Sequence, residues 1–190
     1  MKNLINERPT LLLVDVQKAF LDPNYPGLNR NNPNAEIVCG RILNIWRELK
    51  LPVIHVRHSS IFPDSLLHES KIGFEFNDNV KPLDSELVLT KSVNSAFIGT
   101  DLSIILKESK TTTIVIVGMT TNHCISTTVR MSGNLGFNTF LISDSTACYD
   151  TKSINGDIIS CETIYESSIA SLNNEFARVI DSSELISMLH

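Results

Sequence analysis

Residues 114–136 read IVIVGMTTNHCISTTVRMSGNLG, an apolar run followed by a polar turn and a helical pattern. The run at 114–117 is short, β-branched and continuous, which is typical of a strand buried on both faces of a parallel sheet. Gly118 ends the strand, and we predict a helix over residues 122–135 with Gly136 as its C-terminal glycine. A buried strand that leads into a helix is the repeating unit of an α/β fold.

Comparable apolar runs and helical patterns alternate along the rest of the chain. The other predicted strands are 11–14, 53–56, 87–89, 139–142 and 177–180. The other predicted helices are 35–50, 102–106, 158–172 and 183–189. This alternation predicts right-handed crossovers and a parallel sheet with helices on both faces. The length suits one domain, and we predict a single α/β domain over residues 1–190.

The composition excludes several classes of protein. Hydrophobic residues make up 42% and charged residues 19%, which is enough apolar material for a core and argues against general disorder. No apolar run approaches the roughly 18 residues that cross a bilayer, and the first ten residues show no signal-peptide pattern, so we expect no membrane partner. The net charge of -5, without a Lys/Arg cluster, argues against nucleic-acid binding. The four cysteines form no C-x-x-C pair, so we expect free thiols and a cytoplasmic protein.

Three reactive side chains follow predicted strands or the turn after one. Ligands of parallel α/β sheets bind outside the carboxyl ends of the strands, where Asp15, Lys91 and Cys124 lie. Cys124 stands where a helix begins, and the positive end of the helix dipole favours a nucleophilic thiolate. A Lys91 ammonium beside it would keep that thiolate charged. Taken singly, each residue has an ordinary alternative: a packing thiol, a turn carboxylate and a solvated lysine.

Four ordered segments carry a resemblance to a known family. They are LLVDVQKAF (12–20), TKSVNSAFIGT (90–100), VGMTTNHCISTTVR (117–130) and GFNTFLISDSTA (136–147). Over residues 9–180 the chain resembles the isochorismatase-like cysteine hydrolase superfamily. The feature most specific to that superfamily is the ordered set of Asp, Lys and G-x-x-T-x-x-C. The resemblance implies a three-layer Rossmann-like fold with a six-stranded parallel sheet. It also implies a catalytic triad of Asp15, Lys91 and Cys124.

The resemblance further implies how the triad would act. Cys124 would attack an amide or related carbonyl carbon to give a thioester, and Asp15 would take the thiol proton and hand it to the leaving amine. A non-proline cis peptide is implied at Met119-Thr120, which would turn the Thr120 N–H towards the nucleophile. With the Cys124 N–H it would form an oxyanion hole.

The sequence predicts neither a metal ion nor an organic cofactor. Nicotinamidase-type relatives hold a metal through an Asp-x-His pair and a later His, but here Val56 stands where that Asp would be needed. In a strand, His55 and His58 would face opposite sides, so we expect His58 near the substrate and His55 in the core. No G-x-G-x-x-G follows the first strand, which argues against a nucleotide cofactor.

Seven residues near the triad are candidate contacts to a small-molecule substrate. They are Gln17, Phe20, His58, Asn94, Phe97, Asn122 and His123. Phe20 and Phe97 could wall an apolar pocket, and Asn94 or His123 could read a polar group; ordinary packing or helix capping is the alternative for each. We expect most specificity contacts on the long connection at residues 59–85.

Three functions remain open at this point. The first is a cysteine amidohydrolase that cleaves a small C–N compound through a thioester. The second is an isochorismatase-type vinyl ether hydrolase, in which Asp15 acts as a general acid without the thiol. The third is a non-catalytic binding member, although no triad residue is lost. The resemblance also implies a homo-oligomer, a dimer or a tetramer.

Overall fold

The computed structural model describes residues 4–27 and 29–189, which form an α/β fold. The strands are β1 (Thr10–Val14), β2 (Val53–His58), β3 (Leu87–Lys91), β4 (Thr113–Gly118), β5 (Asn138–Ile142), β6 (Thr151–Lys152), β7 (Ile158–Ile159) and β8 (Arg178–Ile180). The α-helices are α1 (Ala35–Glu48), α2 (Leu102–Glu108), α3 (Ser126–Asn134), α4 (Cys161–Leu172) and α5 (Ser182–Met188). Six strands pair in parallel in the order β3-β2-β1-β4-β5-β8, while β6 and β7 form a separate antiparallel hairpin. The predicted six-stranded parallel sheet is confirmed.

The central strands carry apolar side chains on both faces of the sheet, which explains why their sequences are unbroken apolar runs. Leu11 and Leu13 of β1 pack into a core with residues of α1 and α5. Leu12 and Val14 pack on the opposite face with residues of α2, α3 and α4. The sheet is therefore a buried middle layer between two layers of helices.

The strand order reverses between β1 and β4, and this places a crevice at their carboxyl ends. The two strands approach very closely there. Gly118 pairs with Val14 and has a φ of +133°, and a Cβ atom on it would lie 1.9 Å from the Val14 carbonyl oxygen. Glycine is therefore required at the point where β4 leads into the turn that carries Cys124.

Two predicted helices differ from those in the structure. The helix predicted to begin at residue 158 begins at Cys161, because Ile158–Ile159 pairs with Thr151–Lys152 in the hairpin. The helix predicted from residue 122 is preceded by a π-helical turn, Thr121–Ile125, before α3. A two-residue strand is too short to show a period of two, which is why the pattern did not predict it.

All four cysteines are free, as the sequence predicted. Within residues 4–27 and 29–189, no helix combines the length and apolar character that a bilayer span requires.

Candidate active site

The side chains of Asp15, Lys91 and Cys124 meet at the carboxyl edge of the sheet. Asp15 directly follows β1 with a left-handed φ of +55°, and Lys91 is the last residue of β3. The Lys91 Nζ lies 2.5 Å from Asp15 Oδ2 and 3.4 Å from Cys124 Sγ. The side chains of Asp15 and Lys91 are wholly buried, so neither charged group is in contact with water. The structure thus brings together the three residues that the sequence placed at strand ends.

The electrostatics of the sulfur differ from the expectation of a resting thiolate. Burial and then the Asp15 carboxylate raise the pKa of Cys124 to about 12, against the opposing effect of the Lys91 ammonium. The loss of hydration outweighs any help from the helix end, because the sulfur sits in a mostly buried turn beside a carboxylate. Burial beside Asp15 therefore works against the expected thiolate and favours the neutral thiol of Cys124.

The carboxyl group of Asp15 is suited to receive the thiol proton. Burial raises the pKa of Asp15 above its ordinary value of 3.8, although Lys91 acts in the opposite direction. Its second oxygen, Oδ1, is buried and has no hydrogen-bond partner within the part of the chain that the structure describes. A proton that passes from Cys124 to this oxygen stays inside the site, so the net charge of the buried cluster does not change.

Two backbone N–H groups are candidate donors to a substrate oxygen. The peptide bond between Met119 and Thr120 is cis. Among the described residues, the Thr120 N–H donates to no other group, and the Cys124 N–H donates to none outside Thr121–Ile125. The turn is held by a hydrogen bond of 3.2 Å from the Ile125 N–H to the Thr120 carbonyl.

A cavity of about 700 Å³ opens beside the turn that carries Cys124. It is lined by Tyr25, Pro26, Gly27, Thr120, Asn122, His123, Tyr149, Asp150, Thr151, Lys152 and Ile158, whereas Asp15, Lys91 and Cys124 are not part of this lining. Asn122 and His123, predicted as substrate contacts, are among these residues. No residue of the 59–85 connection lines it, so the prediction that this connection carries the specificity contacts is not supported by the cavity. The hairpin and the segment around Tyr25 line the cavity instead.

The other predicted substrate contacts do not line this cavity. Phe97 instead stacks on Phe137 at 6.2 Å, where both partly buried rings pack against the core, and Asn94 is exposed. Phe20 is buried behind the wall, where its ring lies 5.0 Å from that of Tyr25. Neither phenylalanine lines this cavity, because both rings pack against other aromatic rings, and their role in substrate binding stays a prediction.

Gln17 has all of its amide groups engaged by backbone. Its Oε1 accepts from the His58 N–H at 2.8 Å, and its Nε2 donates to the carbonyls of His58 at 3.0 Å and Phe74 at 2.9 Å. A fully buried amide with these three bonds has no donor left for a substrate. Gln17 therefore holds the end of β2. It does not line the cavity, although the sequence predicted it as a substrate contact.

The tyrosine wall of the cavity is positioned by contacts that the sequence did not reveal. The rings of Tyr25 and Tyr149 lie 4.7 Å apart, and the Tyr149 hydroxyl donates to the Phe20 carbonyl. The chain after β5 returns to the turn that carries Cys124, where the Thr121 N–H donates to the Ala147 carbonyl at 2.9 Å. This return is a tertiary contact, and no local pattern in residues 143–150 indicates it.

Comparisons with known proteins identify the family of the chain. The model of the Isochorismatase domain matches residues 9–184. The chain belongs to the isochorismatase family. It is 47% identical over 182 residues to the isochorismatase family protein YrdC of Bacillus subtilis (strain 168), covering 96% of each chain. A crystal structure of an isochorismatase-family protein from Chromobacterium violaceum ATCC 12472 aligns with a TM-score of 0.92 at 37% identity, over 96% of this chain and 94% of that one.

A more distant relative has a named activity. Nicotinamidase 3 of Arabidopsis thaliana is 26% identical over 190 residues, which covers 92% of this chain and 85% of that protein. The resemblance stated from the sequence motifs is thus confirmed, and the protein is an isochorismatase-family hydrolase related to amidases.

The two histidines of β2 face opposite sides in this isochorismatase-family chain, as predicted. His55 is fully buried, and its Nε2 lies 2.9 Å from Glu86 Oε2. His58 faces the triad. Within the described residues, the donor atoms of Asp15, His58 and Cys124 all lie within 4.8 Å of one another, close enough to hold a metal ion. The Lys91 ammonium lies 2.5–3.4 Å from all three, so a cation already occupies the space among them.

The partner of His55 is part of a partly buried ionic cluster beside β2. Arg47 of α1 donates to both carboxylate oxygens of Glu86 at 2.8 Å, and the Leu83 N–H donates to Glu86 at 2.9 Å. Partial burial raises the pKa of Glu86, but the hydrogen bonds from Arg47, Leu83 and His55 outweigh it and lower the value to about 2. This cluster ties α1 to the segment that precedes β3.

We expect Glu86→Ala to lower the free energy of unfolding at neutral pH by about 1–3 kcal/mol, since it leaves the fully buried His55 without this partner and removes two hydrogen bonds of the partly exposed Arg47. The pKa of Glu86 lies near 2 in the folded chain against an ordinary 4.5, so this stabilisation is present above pH 4.5 and is lost as the pH falls towards 2. Urea unfolding at neutral pH and in steps down to about pH 3 measures both effects. Glu108→Ala removes an exposed carboxylate and is the matched control; equal losses in the two variants would contradict the assignment.

Proposed function

We propose that this isochorismatase-family hydrolase cleaves an amide-type C–N bond of a small molecule through a thioester on Cys124. The observation that carries the proposal is the buried Lys91 ammonium, which bridges Asp15 Oδ2 at 2.5 Å and Cys124 Sγ at 3.4 Å. A nucleophile, a proton acceptor and a fixed positive charge are the groups that acyl transfer requires. The similarity to a nicotinamidase supports the same reaction class.

In the first half of the proposed reaction, the Cys124 thiol passes its proton to Asp15 as the sulfur attacks the carbonyl carbon. The Thr120 and Cys124 N–H groups would stabilise the oxyanion that forms. Asp15 then gives the proton to the leaving nitrogen, the C–N bond breaks, and an amine or ammonia departs. Because Asp15 takes the proton as the sulfur attacks, a thiol with a pKa of about 12 can react at neutral pH without first forming a free thiolate. Lys91 stabilises whichever partner carries the negative charge.

In the second half, water attacks the thioester carbon and Asp15 takes a proton from it. The C–S bond breaks, the acid leaves, and the proton returns to the sulfur. The cavity beside the turn would hold the substrate body, with the Tyr25 and Tyr149 rings as an apolar wall and Asn122 and His123 near the reacting group.

One observation supports the vinyl ether alternative. Burial raises the pKa of Asp15, and a carboxyl that holds its proton more firmly suits a general acid. That chemistry would leave Cys124 without a role in the reaction.

A hydrolysis screen tests the proposal. Nicotinamide, pyrazinamide, maleamate, carbamoyl and ureido amides and isochorismate are incubated with the enzyme, and ammonia, amine or acid release is measured. We expect turnover of at least one amide, with kcat/KM falling as the pH drops through the raised pKa of Asp15, because a protonated carboxyl cannot accept the thiol proton. Turnover of isochorismate alone would contradict the proposed C–N cleavage.

A further inference from the structure

The Lys91 ammonium has three N–H donors, and the proposed mechanism uses only two of its partners. The donors face Asp15 Oδ2 at 2.5 Å, Cys124 Sγ at 3.4 Å and His58 Nδ1 at 3.4 Å. The ammonium is fully buried and has lost its hydration. A buried cation is tolerated only when its donors are paired, so three donors require three acceptors. His58 is the third acceptor, and the reaction as proposed assigns it no task.

The chemistry of this contact fixes the form of the imidazole. An ammonium can only donate, so the His58 Nδ1 that faces it must carry a lone pair. The ionisable groups around His58 are Asp15 at the end of β1, Lys91 at the end of β3 and Cys124 in the π-helical turn. Burial, and then the Lys91 charge, lower the pKa of His58, while Asp15 acts in the opposite direction. The neutral ring is the form that fits beside the ammonium.

The backbone of His58, which carries the imidazole, is fixed by the side chain of Gln17. The Gln17 side chain pairs with both the N–H and the carbonyl of His58, at 2.8 Å and 3.0 Å, and also binds the Phe74 carbonyl. Gln17 lies two residues after Asp15 in the chain. Its bonds therefore fix His58, the last residue of β2, next to β1 and the Asp15 carboxylate. The ring therefore reaches Lys91 from a rigid support.

We infer that His58 is a positioning residue that orients the Lys91 ammonium between Asp15 and Cys124, with Gln17 holding His58 in place. The inference rests on the proposed cysteine chemistry and adds a fourth side chain to it. Without the His58 acceptor, the third N–H of Lys91 has no partner, and the ammonium turns towards the Asp15 carboxylate and away from the sulfur. Protonation of His58 would have the same effect, because an imidazolium has no lone pair at Nδ1 and repels the ammonium.

The test compares two variants that differ in one property. In His58→Asn, the side-chain Oδ1 occupies the place of Nδ1 and still accepts a hydrogen bond. In His58→Leu, a methyl group occupies that place and accepts nothing. For each variant and the wild type, the rate of Cys124 alkylation by iodoacetamide is measured against pH by peptide mass spectrometry. The kcat/KM on an amide substrate from the hydrolysis screen is measured alongside.

We expect His58→Leu to lose up to about a hundredfold in kcat/KM, mostly in kcat, since a small displacement of a catalytic group has effects of that size. His58→Asn should keep most of the activity and lose the part of the acid limb that His58 protonation contributes. Urea unfolding of both variants shows whether the comparison is made on folded protein. A His58→Leu protein with the wild-type alkylation profile, or two variants with equal losses, would overturn the inference.

The two proposals fail in different ways in this experiment. If the wild type turns over no amide, the proposed function fails, while the alkylation rates of the three proteins still compare the sulfur's environment. If the wild type is an amidase and His58→Leu matches it in rate and pH profile, only the role of His58 is lost.

Discussion

Replacing Cys124 by alanine is expected to lower the kcat for amide hydrolysis by at least about four orders of magnitude, because no other group can form the covalent intermediate. Asp15 and Lys91 would remain in contact at 2.5 Å, and so the fold and the cavity should persist. The loss should therefore appear in kcat, and the variant should still bind substrate. Ammonia release at saturating amide measures kcat. Thermal unfolding scans with and without the amide measure the stability of the fold and the binding of substrate.

The other free cysteines provide the control for this variant. Cys161 is nearly buried at the start of α4 and is no part of the triad, so Cys161→Ala should hydrolyse the same amide at close to the wild-type rate. Persistent amide hydrolysis in Cys124→Ala would refute covalent catalysis by the sulfur. Hydrolysis of a vinyl ether that survives in Cys124→Ala, with no amide turnover in either protein, would instead favour general acid catalysis by Asp15.

A second large effect is expected from Gly118→Ala, which should lower the free energy of unfolding by about 3–5 kcal/mol. The added Cβ would lie 1.9 Å from the Val14 carbonyl oxygen, and this oxygen also accepts the hydrogen bond of the Met119 N–H. The obstacle is backbone in two central strands, which cannot move aside as a flexible side chain would. The φ of +133° adds strain for any residue with a Cβ.

Gly99→Ala is the control for this variant, because it has the unfavourable backbone conformation without the steric clash. Gly99 also has a positive φ, +73°, but a Cβ there meets nothing within 4 Å. Its cost should be about 1 kcal/mol, since only the conformational term applies. Urea unfolding of the two variants and the wild type gives the comparison. A Gly118→Ala protein as stable as Gly99→Ala would show that β1 and β4 separate easily.

The sheet and the triad were predictable because both depend on local patterns. Each buried strand is an apolar run, and parallel strands send their carboxyl ends to one edge, which brings Asp15 and Lys91 together without knowledge of the loops. The ionisation of Cys124 was not predictable, since it depends on how deeply the sulfur is buried beside a carboxylate.

The lining of the cavity was also outside the reach of local patterns. Tyr25 and Tyr149 are far apart in the chain and meet only because the segment after β5 folds back over the π-helical turn. The hairpin supplies Lys152 and Ile158 from strands of two residues, which carry no periodicity. Gln17 looked like a substrate contact because it follows Asp15, whereas its neighbours in space are backbone groups of β2 and of the 59–85 connection.

The position of Lys91 in the sheet has a consequence for how the enzyme would lose activity. β3 is one of the two edge strands and, within residues 4–27 and 29–189, pairs with β2 alone; Leu87 and Val88 are 38% and 36% exposed. Edge strands fray before the centre of a sheet unfolds. Inactivation by mild denaturant should therefore precede the loss of secondary structure, and turnover would serve as a sensor of edge opening.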